Sequence, residues 1–378
     1  MLPIGIDYTP AYEQGGGIGR YVRELVTALS LIDQTSSYSL FVSGATRSKL
    51  PPQLGANFHW KPTPLTPKWL ARIWHRLQVP LPVEAFTGRV RLFHATDFVL
   101  PPTLLSVPSV LTVHDLSFVR VSDSASPSLK KYLDVVVPRS VRRATHILAD
   151  SQATADDLVS LYNVSSSKVS VLLSGVNERF DRNISIDVLM TTRSNYSLED
   201  FPYIFTVGTV QPRKNYVRLI QALVQLREKG IDIHLVIAGG KGWLDNPIYQ
   251  AISDNHMEDY VHFIGFAADE DLPALYKNAT CLAFPSLYEG FGLPVLEAMA
   301  AGVPVLTSNV SSLPEVAGDA AIIIDPYDVE AITDGLQKLI LDTTLRNTLI
   351  PKGLARAKEF TWEKSARQLL SIYQDLLA

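Results

Sequence analysis

Short apolar runs alternate with segments of helical periodicity through both halves of the chain. Runs at 2–7, 38–42, 91–94, 109–113, 145–150 and 169–172 are too short for helices and predict buried strands. Between the first two, Val22, Leu25, Val26 and Leu29 share one face of a helix; further helices are predicted over 127–143 and from 151 to Tyr162. The polar stretch 183–201 has no clear period and reads as a linker. The alternation then restarts. Strands are predicted at 203–207, 233–238, 260–264, 281–284, 303–307 and 320–324. Leu219, Ala222, Leu223 and Leu226 mark the first helix among them, and three more helices are expected at 328–341, 345–358 and from 361. Alternation on both sides of one linker predicts an α/β protein of two doubly wound, Rossmann-like domains facing a cleft, 1–182 and 202–360.

In such sheets ligands collect at the carboxyl ends of strands. The run 281–284 leads into PSLYEGFGLPVLEAMAAG, 285–302. Pro294 suits a first helical turn and Gly302 a helix end, so the stretch reads as strand, glycine loop and helix. The glycines let the backbone approach a ligand, and amides at the helix start favour an anion. Glu289 and Glu297 bracket the loop. A phosphate on the amides of Gly290, Phe291, Gly292 and Leu293, with hydroxyls on either carboxylate, describes a nucleotide-sugar. The run 203–207 ends in GTVQPRKN, where Arg213 and Lys214 suit a diphosphate. Read instead as exposed cations at a helix start, they would oppose the helix dipole.

Three other stretches carry weaker signals. Residues 15–20, GGGIGR, join the first strand to the first helix, but Arg20 stands where a dinucleotide fingerprint needs its third glycine. A flexible connection and a phosphate or sugar contact are both open there. His114 follows the run 109–113, a placement that favours function over a structural hydrogen bond. Over 67–77, Trp69, Leu70, Ile73, Trp74 and Leu77 fall at helical spacing beside Lys68, Arg72, His75 and Arg76. Such a helix can lie on an anionic membrane surface, although packing on its own sheet is the favoured reading. Asp269 and Asp271 form an Asp-x-Asp, yet they precede a helix over 272–279 and are expected to cap it. No convincing His/Cys cluster is present, and no metal is expected.

The bulk numbers limit the partners. A length of 378 residues fits two domains. With a net charge of −4 there is no electrostatic case for nucleic acid. Cys281 is the single cysteine, which excludes an internal disulfide and suits a reducing compartment. No run approaches 18 apolar residues, and the N-terminus lacks a signal-peptide pattern. The expectation is a cytoplasmic protein, at most peripheral on the inner face of a membrane.

The E-x7-E spacing inside EGFGLPVLEAMAAGVPV resembles the retaining GT-B glycosyltransferases of family 4, and GGIGRY and GTVQPRKN resemble their other loops. The likeness covers nearly the whole chain and is strongest over 203–327. It implies transfer of a hexose from a nucleoside diphosphate sugar, UDP-glucose or GDP-mannose, to a glycan or lipid-linked glycan of envelope polysaccharide synthesis. It assigns Arg213, Lys214, Gly290, Phe291, Gly292 and Leu293 to the donor diphosphate, Glu297 to the ribose and Ile264 to the base. Glu289 and His114 fall to the transferred sugar as catalytic residues, and Gly16 and Gly17 to the donor and acceptor loop. It favours same-face attack, with the departing phosphate taking the acceptor's proton, over retention through Glu289 as a covalent nucleophile, which is conceivable, and it implies a final helix, 361–378, returning to the first domain. Ser174-Gly175-Val176-Asn177 departs from the family's usual Asn-Gly-Val-Asp. A nucleotide-sugar epimerase on the same fold and a non-catalytic nucleotide-sugar binding module are the alternatives.

Overall fold

The computed structural model describes residues 3–378; Leu2 of the expected first strand lies outside them. The chain forms two compact units. One runs to Leu116 and adds Lys131–Gly175 and Thr361–Ala378; the other comprises Ser117–Lys130 and Val176–Phe360.

The first unit holds seven parallel strands: β1 Ile4–Asp7, β2 Tyr38–Ser43, β3 Phe58–Thr63, β4 Leu92–Ala95, β5 Ser109–Val113, β6 His146–Ala149 and β7 Val169–Val171. Their order is β3-β2-β1-β4-β5-β6-β7. The second unit holds six: β8 Tyr203–Val207, β9 His234–Ala238, β10 Val261–Gly265, β11 Cys281–Phe284, β12 Val305–Ser308 and β13 Ile322–Ile324, in the order β10-β9-β8-β11-β12-β13. The central strands are buried on both faces, which is why they are continuous apolar runs rather than alternating ones. In each sheet the order reverses beside the first strand, at β1/β4 and at β8/β11. Those are the switch points outside which ligands bind.

Several elements differ from expectation. Strand β3, FHWKPT, carries Lys61 and Pro62 and pairs only with β2. An edge strand tolerates a proline that a central one would not, so its apolar signal is weak. The stretch 183–201 is not a plain linker. Ile186–Asn195 is a helix whose Ser185 hydroxyl accepts from Val188 N–H, and Asn278 donates to its Leu189 carbonyl. The first unit ends at Gly175 rather than 182, and 117–130 clusters with the second unit, where Trp243 Nε1 donates to the Ser124 carbonyl. Trp362–Leu377 packs in the first unit: Ser365 Oγ donates to Leu173 O, and Tyr373 Oη lies 2.6 Å from His94 Nδ1.

The segment 67–77 splits. Pro67–Ala71 is α-helical, but Arg72–Arg76 is a π-helical turn in which Leu77 N–H reaches Arg72 O. The wider turn shifts the side-chain phase and ends the stripe. Leu70 and Trp74 are buried, whereas Trp69 is 55% exposed with Arg72 over its ring, and Leu77 is exposed too. Internal packing therefore describes only part of the stripe. The expected capping by Asp271 fails as well. It occupies the N-cap position of Leu272–Lys277, but its backbone is already helical and its side chain accepts from Tyr196 Oη, not from a helix amide. Capping needs an extended backbone there. Asp269 lies 3.7 Å from Arg179.

Candidate active site

In the second unit the two loops singled out in the sequence leave β8 and β11, the strands that flank the switch point. Their charged groups meet. Lys214 Nζ donates to Glu289 Oε1 and Arg213 NH1 lies against Oε2, each at 2.7 Å. All three side chains are largely buried, so the cations are not exposed helix-start charges. Burial alone would raise the Glu289 pKa; the charges of Arg213 and Lys214 and their hydrogen bonds outweigh it and hold it down at about 2. Glu289 is thus ionised with both oxygens committed.

The surroundings fix this triad. Arg213 also donates to the Tyr288 carbonyl. Asn215, at φ +62, donates from Nδ2 to Pro285 O and Pro326 O and so ties the cation loop to the glutamate loop. Gly208, at φ +151, leaves space for the Lys214 stem, which a Cβ would meet at 2.6 Å. The Ser311 hydroxyl accepts from Glu289 N–H, and the Ser312 hydroxyl reaches the carbonyls of Glu289 and Phe291. None of these serines was marked by a sequence signal.

Gly292, at φ +119, turns the chain into the helix Leu293–Ala300. The amides of Gly290, Phe291, Gly292 and Leu293 meet no acceptor among the described residues, so four donors remain at that helix start. Glu297 is buried in the helix and accepts from Tyr276 Oη at 2.9 Å. Ile264 lies at the bulge that ends β10, followed by Phe266, a ring 62% exposed. Among the described residues no cluster of three or more His, Cys, Asp or Glu could hold a metal ion, and no helix is long and apolar enough to cross a membrane.

In the first unit, His114 leaves β5 and is buried. Its Nδ1–H donates to Asp150 Oδ2 at 2.7 Å and its Nε2–H to Thr96 O at 2.9 Å. A carbonyl only accepts, so Nε2 carries a proton, and with Asp150 ionised Nδ1 carries one too. Burial pulls its pKa down, but the Asp150 carboxylate prevails and holds it up at about 9. Sequence reasoning missed Asp150 and Asp97 as partners, although both stand at strand exits. Each keeps one buried oxygen, Oδ1, without a hydrogen bond among the described residues. Gly16 and Gly17 open the helix Gly17–Ile32; a Cβ on either would meet nothing within 4 Å. The glycine that the fold itself demands is Gly19, whose Cβ would lie 2.0 Å from the Gln14 carbonyl oxygen.

Comparison with known proteins covers both units. The family described as glycosyl transferases group 1 matches residues 191–356, and glycosyltransferase family 4 matches 15–180. The O-antigen chain mannosyltransferase B of Escherichia coli is 32% identical over 372 residues, 95% of this chain and 96% of that protein. Among solved structures, the sucrose-phosphate synthase of Thermosynechococcus elongatus superposes with a TM-score of 0.79 at 20% identity, over 100% of this chain and 99% of that one. An Anabaena protein in complex with UDP-glucose gives 0.74 at 18% identity, over 99% and 100%. The chain has the GT-B fold and belongs to the family 4 glycosyltransferases.

Proposed function

We propose that the chain is a retaining, metal-independent mannosyltransferase that moves mannose from GDP-mannose to a hydroxyl of a glycan or lipid-linked glycan in envelope polysaccharide synthesis. One observation carries the chemistry: a buried carboxylate held between two cations, beside four helix-start amides without acceptors. Of the two donors the sequence left open, the E. coli relative's activity favours the mannosyl one. That an Anabaena neighbour holds UDP-glucose is consistent with a nucleotide-sugar donor of either kind.

The donor diphosphate would take Arg213 and Lys214 from Glu289 and rest on the amides of Gly290, Phe291, Gly292 and Leu293. Donors aimed where charge develops stabilise the departing diphosphate without reorganisation. The cations also do the neutralising that a metal would otherwise do. Glu289, released, accepts hydroxyls of the sugar; Glu297 accepts those of the ribose, and Ile264 frames the base. Glu289, once released, is engaged by the sugar hydroxyls it accepts, which leaves it poorly placed as a covalent nucleophile. The acceptor oxygen therefore attacks the anomeric carbon on the face from which phosphate leaves, and its proton passes to the departing phosphate oxygen. His114 contributes positive charge, not proton abstraction. The open positions at Gly16 and Gly17 let a hydroxyl-rich acceptor approach the backbone.

The test is a thermal-shift screen of nucleotide-sugars, followed by transfer assays with and without a mannose-terminated acceptor. GDP-mannose should raise the melting temperature most, and transfer should need acceptor and survive EDTA. Sugar release or isomerisation without acceptor would replace this reading with an epimerase, and binding without turnover would replace it with a binding module.

A further inference from the structure

The first unit contains a second cation-lined recess, a cavity of about 440 Å³. Trp74 and Val136, both buried, line it together with Pro80 and Pro102. Its rim carries Arg139, Arg142 and Arg143, from the end of the helix Pro127–Arg143. Cations in a last helical turn are common because they complement the helix dipole. That accounts for their presence on the helix, not for their convergence on one recess, whose lining also includes Gln78, Thr103 and Ser140. No carboxylate lines it, and neither Arg139 nor Arg142 has an acidic partner among the described residues. Arg143 is fixed: its guanidinium donates to Leu100 O and Pro101 O.

The positive field is felt inside. His75, also in the lining, is pushed down to about 4, first by burial and then by Arg143 and Arg139. The apolar side is equally defined. Trp74 spends its indole N–H on Leu81 O at 2.8 Å, so the rest of the ring offers only apolar surface. Val79 lines the mouth, and Leu77 stands exposed beside it. The guanidinium forks of Arg139 and Arg142, beside the fixed charge of Arg143, match an anion with several oxygens and more than one charge, better than a single carboxylate. The apolar part of the lining matches an aliphatic chain.

We propose that this recess binds the phosphate or diphosphate ester of a long aliphatic alcohol, with the phosphoryl oxygens on Arg139 and Arg142, beside Arg143, and the chain along Trp74 and Val79. Tyr132 links the recess to the strand exits, since its ring meets His75 edge-on and Asp97, at the β4 exit, acts on its hydroxyl. The site is separate from the donor reading and is tested without transfer.

The full chain is titrated calorimetrically with farnesyl diphosphate, inorganic diphosphate and farnesol, and mixed with phosphatidylglycerol vesicles. The Arg139→Gln/Arg142→Gln double variant changes exposed residues and should keep the wild-type unfolding midpoint. Farnesyl diphosphate should bind at least tenfold more tightly than either fragment, and the double variant should lose that binding at least tenfold. Unchanged affinity in the double variant overturns the site, and equal affinity for inorganic diphosphate overturns the role of the chain. Vesicle binding that depends on the two arginines, with no binding of dispersed farnesyl diphosphate, overturns a single-molecule site in favour of a bilayer contact. A nucleotide-binding defect would not bear on it, because the donor groups lie in the second unit.

Discussion

Replacing Glu289 with Gln keeps the side chain's size and removes its charge. In the wild type the carboxyl is held at about 2 against an ordinary 4.5, a gap of about 2.5 pH units. At about 1.4 kcal/mol per unit, the ionised form is favoured in the fold by about 3 kcal/mol. Because the folded pKa is depressed, this stabilisation is complete above about 4.5 and is lost as pH falls through about 2. The variant also leaves Lys214 buried without its counter-charge, with the Phe284 ring 4.6 Å away. Breaking one side of a buried pair costs roughly 3–5 kcal/mol, and the amide's remaining hydrogen bond offsets part of it. We expect Glu289→Gln to lose about 2–4 kcal/mol near pH 7, read by urea unfolding of the second unit, and the deficit to shrink as pH falls from 5 toward 3. With the cations released, free nucleoside diphosphate should bind at least as tightly as in the wild type while transfer falls. A variant within about 0.5 kcal/mol of wild type throughout that range, with weakened nucleotide binding, would refute the ion-pair account.

Glu297→Ala should weaken free-nucleotide binding about tenfold, or about 1.4 kcal/mol, and clearly more than Glu289→Ala, because only the former is assigned to the ribose; equal losses would sink that division of roles. Trp74→Ala should cost about 3–5 kcal/mol and visibly lower the melting temperature, since the ring is buried against Phe41 and Phe86 and hydrogen-bonded to Leu81. Trp69→Ala, exposed, should stay within about 0.5 kcal/mol of wild type; a larger loss would mean that the π-helical turn depends on its ring.

The sequence determined a good deal here by local means. Short buried strands such as 109–113, 203–207 and 281–284 are recognisable because a doubly wound sheet makes them apolar on both faces. The glycine loop is recognisable because Gly292 must take a positive φ just where a helix begins. Local pattern failed where burial was one-sided or where neighbours overrode it. The edge strand β3 carries a proline and little apolar signal, the π-helical turn rotated Leu77 out of a stripe that spacing alone would keep, and Tyr196 drew Asp271 away from its helix. The site's central fact belongs to tertiary structure. Lys214 and Glu289 are 75 residues apart and meet because the first and fourth strands of the second sheet are neighbours. His114 and Asp150 meet because β5 and β6 are. No periodicity along the chain encodes those adjacencies. They follow from right-handed crossovers that bring exits from distant strands to one edge of a sheet, and there a carboxylate's pKa is set by the charges that arrive beside it.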